Sequence, residues 1–244
     1  MKAMVFAAGR GTRLAPLTDA LPKALIEVGG RTLLEIVLAR LLRAGVNAAV
    51  VNVHHLPERI AAWLAAARLT LPVALSRENE LLDTGGGLRH AAPLLAGPEP
   101  FFVHNVDVLS AIDLGALMGQ QRASDALATL AVQPRTRGRG LLFDGEGRLV
   151  GWEEAPGGRR MWAARPVPGA ERLAFCGIHA ASPALLARLV ETGAFPIVSA
   201  YLRLAGEGAD IRAFRADGVF WADIGTPEKL AAARKLAAED RLPD

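Results

Sequence analysis

Residues 7–25 read AAGRGTRLAPLTDALPKAL. They follow MKAMVF (residues 1–6), an apolar run that reads as a buried strand. The stretch sets Gly9 and Gly11 among three cations, Arg10, Arg13 and Lys23, with Pro16, Pro22 and one acid, Asp19. Glycines let a backbone come close to a ligand, and successive free N–H groups form a concave anion site. Arg13 offers a planar fork to phosphate oxygens and Lys23 a mobile point charge. The prolines stiffen the loop. A strand that opens into such a loop predicts a site that holds something negative. Two common phosphate loops are excluded. No G-x-x-x-x-G-K-[ST] occurs, and Leu14 stands where the dinucleotide fingerprint needs its third glycine.

Outward from the loop, strand-like and helix-like segments alternate. Thr32 and Glu35 form a capping box ahead of LLEIVLARLLRA, which repeats apolar residues at helical spacing up to Gly45. AAVVNV (48–53), PVALS (72–76) and PFFVHN (100–105) read as strands. Helices are expected from Pro57, over Gly85–Leu95, and over DLGALMGQQRA (113–123). This order predicts a mostly parallel sheet with helices on both faces. The second half changes character. ALATLAVQ (126–133) and LAFCGIHAA (173–181) read as strands, GLLFDGEGRLVGW (140–152) as a hairpin turning at Asp144–Gly147, and residues 155–172 as a loop over the sheet. A helix is expected over 182–193, short strands over 211–216 and 219–225, and a last helix from Thr226-Pro227-Glu228.

The chain has 244 residues, 51% hydrophobic and 22% charged, with a formal net charge of +3. Its four lysines and 24 arginines are scattered, so no basic stripe suggests nucleic acid. No apolar run reaches membrane-spanning length and no leader pattern opens the chain, and Cys176 is the single cysteine. These features predict a cytoplasmic protein with no membrane and no nucleic-acid partner. The oligomeric state is left open. The five histidines, at 54, 55, 90, 104 and 179, lack zinc spacing and read as strand-end or surface residues, with His104 near the site.

The opening stretch resembles the signature of the sugar-1-phosphate nucleotidyltransferases, A-A-G-x-G-T-R-L-x-P-L-T followed by P-K-x-L-x-x-V. Here it runs from Ala7, Ala8, Gly9, Gly11 and Thr12 through Arg13 and Leu14 to Thr18, then Pro22-Lys23-Ala24-Leu25 and Val28. Further pieces follow in order. Glu80-Leu81-Leu82-Asp83-Thr84-Gly85-Gly86-Gly87 is similar to the segment whose backbone meets base and ribose. It looks like the E-T-G-G-G variant of uridylyltransferases that act on N-acetylmuramate 1-phosphate. His104-Asn105-Val106-Asp107 stands in place of the family's N-G-D, with Val106 where glycine is typical. Trp221-Ala222-Asp223-Ile224-Gly225-Thr226-Pro227 resembles W-x-D-[IV]-G-T-P, and Trp152–Pro156 occupies the place of F-x-E-K-P, with Ala155 for the lysine. Phe175-Cys176-Gly177-Ile178 matches the strand that follows, and Cys176 reads as a small buried residue.

The resemblance implies one Rossmann-like three-layer α/β/α domain over residues 1–244, with a mostly parallel mixed sheet and a small β sugar-binding subregion. It implies that NTP and a sugar 1-phosphate give an NDP-sugar and pyrophosphate, with Mg²⁺ on Asp107 and Asp223. Arg13 and Lys23 would be catalytic. Ala7, Ala8, Gly9, Gly11, Thr12, Thr84, Gly85 and Asn105 would bind nucleotide, and Glu154, Gly177 and Asp107 the sugar. UTP with N-acetylmuramate 1-phosphate is the first expectation. A mannose or heptose 1-phosphate guanylyltransferase, a phosphoalcohol cytidylyltransferase and a non-catalytic nucleotide-sugar-binding regulatory protein are the alternatives. One of Arg159, Arg160 and Arg165 is expected to replace the missing lysine or to meet a carboxylate on the sugar, such as a lactyl group.

Overall fold

The computed structural model describes residues 1–242; residues 243–244, the end of the expected domain, lie outside the described residues. Strand β1 (Lys2–Phe6) runs into the glycine loop. That loop carries two 3-10 turns, Thr12–Leu14 and Lys23–Leu25, with the short helix α1 (Leu17–Ala20) between them. A two-stranded ribbon, β2 (Glu27–Val28) and β3 (Arg31–Thr32), leads into α2 (Leu33–Arg43). Thr32 Oγ1 accepts the Glu35 N–H at 3.1 Å, as the capping box requires, and Gly45 at φ 84° ends the helix. The cap is worth about 1 kcal/mol, whereas each of the buried Leu33, Leu34, Val37, Leu38 and Leu41 contributes roughly 1.5–3 kcal/mol. Packing therefore holds α2, and the cap sets where it starts.

Next come β4 (Ala48–Val53), α3 (Pro57–Ala66), β5 (Val73–Arg77), α4 (Asp83–Leu95), β6 (Phe101–Asn105), β7 (Val108–Ser110), α5 (Leu114–Arg122) and β8 (Ala128–Gln133). The hairpin of β9 (Gly140–Phe143) and β10 (Leu149–Glu153) turns where expected, with Asp144 Oδ1 accepting the N–H groups of Glu146 and Arg148 at 2.9 and 2.8 Å. The 155–172 segment is not all loop. β11 (Arg160–Trp162) pairs antiparallel with β10, Trp152 opposite Met161. β12 (Glu171–Ala181) follows, then α6 (Ala184–Arg188), α7 (Ile197–Gly206), β13 (Ile211–Arg215), β14 (Trp221–Asp223) and α8 (Pro227–Ala238).

Helix α6 is shorter than the expected 182–193 because Arg203 of α7 captures the chain that follows it. Arg203 donates to the Arg188 carbonyl at 2.8 Å and pairs with Glu191 at 2.7 Å.

Ten strands form the main sheet. Its centre runs β5-β4-β1-β6 in parallel, then β12 antiparallel, then β8 and β13. β12 also pairs with β9, so the hairpin and β11 extend the sheet on one side. The mostly parallel mixed sheet with helices on both faces is as expected. Alternate residues of β1 enter different cores: Ala3 and Val5 meet α2, α3, α5 and α8, while Met4 meets α4, α6 and α7. No described helix is long and apolar enough to cross a membrane.

Two histidines depart from the expected surface position. His104 and His179 are fully buried in the sheet. Burial first, and then the Arg40 cation, lowers His104 to about 3; burial and then His104 lower His179 to about 3. His104 Nδ1 donates to the Asn105 carbonyl at 2.8 Å, which opposes the lowering but is outweighed by burial, and which fixes the tautomer of the neutral ring. Because both folded values lie below the ordinary one, the unfolded chain binds protons that the folded chain refuses. Stability is full above about pH 6.5 and is lost as pH falls toward 3. Urea unfolding should lose roughly 2 kcal/mol per histidine between pH 7 and pH 5. A flat profile over that interval would contradict the neutral burial.

Candidate active site

Strand β1 has β4 on one side and β6 on the other, so the winding of the sheet reverses there. Crevices at such a point lie outside the carboxyl ends of the strands. A cleft of about 560 Å³ opens at that place. Ala7, Ala8, Gly9, Gly11, Thr12, Arg13 and Lys23 line it from the loop, Asn105 and Asp107 from the end of β6, and Thr84 from α4. Gly11 holds φ 66°, and a Cβ there would stand 2.9 Å from Thr18 Cγ2. Thr18 Oγ1 in turn donates to the Gly11 carbonyl at 3.0 Å, which folds the loop back on itself. The Ala7 N–H is spent on Asn52 Oδ1 at 2.7 Å. The N–H groups of Ala8, Gly9, Gly11 and Thr12 have no partner among the described residues, so they remain available to an anion.

The two aspartates meet through a strand pair that the sequence pattern does not announce. β14 lies antiparallel to β7 with Asp223 opposite Val108, and the Ile224 N–H donates to the Asp107 carbonyl at 2.7 Å. Both carboxylates thus face one adjoining cleft of about 490 Å³, together with Arg13, Asn105 and Gly177. Lys23 pairs with Asp107, and Lys229 with Asp223. Arg13 is exposed and unpaired among the described residues, and its guanidinium lies beside Gly225. Gly177 sits at φ 72° in a bulge of β12 opposite β8. A Cβ there would lie 2.6 Å from Asn105 Nδ2, so glycine is what lets the Asn105 amide rest on the strand.

Gly85 is not where the helix-start reading put it. Helix α4 begins at Asp83, which holds φ 58°, and the N–H groups of Gly85 and Gly86 donate to the Phe195 carbonyl at 2.8 and 3.3 Å. Gly85 is buried outside the cleft, and its N–H is not free for a ligand. A Cβ on Gly85 would stand 2.2 Å from the Phe195 ring, so the glycine serves close packing of the segment before α7. Gly85→Ala should cost about 1–3 kcal/mol, the usual range for overpacking. A thermal scan in which this variant matches the parent protein would remove that account.

Glu154 also lies outside both clefts. It is exposed beyond β10, and its N–H donates to the Arg159 carbonyl at 3.0 Å. Its neighbour Glu153 is the buried one, 1% exposed, paired with Arg160 at 2.7 Å and Arg172 at 2.9 Å. Strand alternation explains this, since consecutive residues of β10 point to opposite faces. Arg160 is thereby engaged, and none of Arg159, Arg160 and Arg165 lines either cleft. The Cys176 thiol is pushed up to about 11, first by burial, so it is a packed side chain rather than a nucleophile.

Sequence reasoning missed Asn52 and Glu78, which floor the main cleft. Asn52 Nδ2 donates to Glu78 Oε1 at 2.6 Å, and Glu78 Oε2 accepts the Leu82 N–H at 3.0 Å. This buried pair ties the glycine loop to the segment before α4. Its available signal was an asparagine next to last in the otherwise apolar strand AAVVNV.

Residues 2–240 match the model of the nucleotidyl transferase family. The chain belongs to that family. The nucleotidyltransferase is 34% identical over 255 residues to an N-acetylmuramate alpha-1-phosphate uridylyltransferase of Caulobacter vibrioides, covering 99% of this chain and 97% of that one. It is 29% identical to the mannose-1-phosphate guanylyltransferase catalytic subunit beta of Danio rerio, over 93% of this chain and 62% of that one. In fold it is similar to a putative glucose-1-phosphate thymidylyltransferase of Bacillus anthracis, with TM-score 0.80 at 17% identity, covering 100% and 96% of the two chains. The family read from the opening motif is therefore the right one, as is the enzyme class.

Proposed function

We propose that the nucleotidyltransferase joins UTP and N-acetylmuramate 1-phosphate, giving the UDP-sugar and pyrophosphate. The observation that carries the reading is the composition of the clefts at the switch point. Unpartnered loop N–H groups and Arg13 and Lys23 stand on one side, and the adjacent carboxylates of Asp107 and Asp223 on the other. Such a site suits an anionic polyphosphate brought in with a hard cation. The choice of base and sugar rests on the relative from Caulobacter vibrioides.

The donor set fits Mg²⁺, which takes one or two carboxylates from a protein and the rest of its oxygens from water and phosphate. Asp107, in the turn before β7, and Asp223, on the β14 strand paired with β7, would hold it. When bound, the ion supplies neutralisation of charge on the phosphates. The rest falls to the chain itself. The loop backbone orients the triphosphate, and Arg13 and Lys23 neutralise charge developing on the leaving pyrophosphate. An oxygen of the sugar phosphate attacks the α-phosphorus in line as the bond to pyrophosphate breaks. That oxygen is already ionised, so no general base is needed, and positioning does the work. One domain over the whole chain is part of this proposal.

A panel of four NTPs against N-acetylmuramate, N-acetylglucosamine, glucose and mannose 1-phosphates, read by pyrophosphate release, tests it. The highest kcat/KM should fall on UTP with N-acetylmuramate 1-phosphate. A preference for GTP with mannose 1-phosphate would install the second reading, which the relative from Danio rerio supports. Absence of pyrophosphate in every well would favour a nucleotide-sugar-binding protein.

A further inference from the structure

The cleft holding Asp107 and Asp223 does not end at the aspartates. Arg139 and Phe175 line it and also line a second cleft of about 350 Å³, walled by Trp152, Met161, Val198 and Leu202. The two clefts are continuous through that arginine and that phenylalanine. Arg139 belongs to the stretch Pro134–Gly140, PRTRGRG, which is held at Arg135, at Gly138 and at Gly140, the first residue of β9. Arg135 stacks over the Trp221 ring at 3.5 Å. Arg172 donates to the Arg135 carbonyl at 2.7 Å and to the Gly138 carbonyl. Arg172 is itself set by the buried carboxylate of Glu153. Lys23, Lys229, Arg160 and Arg172 all have acidic partners. Arg139 has no hydrogen bond or ion pair among the described residues, although both its flanks are anchored.

A cation held at the mouth of an apolar cleft suits one kind of substituent: a short arm bearing both a carboxylate and a methyl or methylene group. The guanidinium fork takes the carboxylate in two parallel hydrogen bonds. The aromatic and aliphatic wall takes the carbon. A neutral hydroxyl would leave the fork unmatched, and a second phosphate would leave the apolar wall unused.

We propose that Arg139, backed by the Trp152–Met161–Phe175 wall, is the specificity-determining residue for a carboxylate-bearing ether arm on the acceptor sugar. This assigns to Arg139 the part that the sequence offered to Arg159, Arg160 or Arg165. The inference rests on the N-acetylmuramate reading above.

The test compares two acceptors that differ only by the lactyl ether, N-acetylmuramate 1-phosphate and N-acetylglucosamine 1-phosphate. The quantity read is the ratio of their kcat/KM values with UTP. Arg139→Ala should lower that ratio about 10–100-fold, the scale of one lost charged hydrogen-bond pair. Arg139→Lys, which keeps the charge without the fork, should recover part of it. An unchanged ratio in Arg139→Ala, with the parent protein active on the lactyl sugar, would overturn the inference and leave the proposed function standing. A loss shared equally by both sugars would assign Arg139 to the 1-phosphate and also overturn it. A parent protein that ignores the lactyl sugar but uses a neutral one would overturn both readings.

Discussion

Lys23→Ala and Arg13→Ala should each cut kcat about 10²–10³-fold, the scale of removing one preorganised transition-state donor. The two losses arise differently, and the structure separates them. Arg13 is exposed and makes no ion pair among the described residues, so its removal should leave the melting temperature unchanged. Lys23 is 11% exposed and pairs with Asp107, itself 23% exposed, so its removal strips a partly buried carboxylate of its cation. That variant should therefore melt a few degrees lower, as expected when one partner of such a pair is lost. It should also release Asp107 to a metal. The Mg²⁺ concentration for half-maximal rate should fall in Lys23→Ala even as turnover falls, and should not fall in Arg13→Ala. Pyrophosphate release over a Mg²⁺ titration reads both quantities. Near-normal kcat in the two variants would take both cations out of the reaction.

The part of the fold that could be read in the sequence is the part fixed by local chemistry. The strand into the Gly9–Gly11 loop, the Thr32–Glu35 capping box and the Asp144–Gly147 turn each need particular residues at particular spacings, and each is where it was expected. Helix α7 was not legible. It opens with Ile197 and Val198, whose branched side chains favour strands, its cap residue Pro196 has no side-chain acceptor to offer, and the Ile197 N–H is taken instead by Thr84 Oγ1 at 2.9 Å, from far along the chain. Strands β7 and β11 have three residues each, too few to show alternation; β7 exists because the distant β14 supplies its hydrogen bonds, and β11 because it folds back on the edge of β10. The site divides in the same way. The anion loop is a local feature and was legible. The roles of Gly85, Glu154 and Arg139 depend on what packs around them. Phe195 takes the Gly85 N–H, the pleat of β10 turns Glu154 outward, and the anchoring by Arg172 presents Arg139. The partners of Gly85 and Arg139 lie far from them along the chain, whereas Glu154 is decided by its neighbour Glu153 taking the buried side.

The aspartate pair depends on that non-local kind of information, and its removal should be as costly as that of the cations. Asp107→Asn and Asp223→Asn should each slow turnover about 10²–10³-fold and raise the Mg²⁺ requirement. If both serve one ion, the double variant should fall far short of the ~10⁴–10⁶-fold product of the singles, because the second change removes what the first has already disabled. The pairing of each carboxylate gives an independent check. Asp107→Asn leaves the nearly buried Lys23 without its counter-charge and should lower the melting temperature. Asp223→Asn frees Lys229, which is 47% exposed and can turn to water, so its melting temperature should hold. A shared loss of activity with unequal loss of stability is therefore the expected pattern, and a purely structural role for both residues would not produce it. Calorimetry of Mg²⁺–UTP binding completes the measurement. Undiminished affinity in both single variants would show that neither carboxylate holds the ion, and the geometry of β7 and β14 would then serve the sugar phosphate alone.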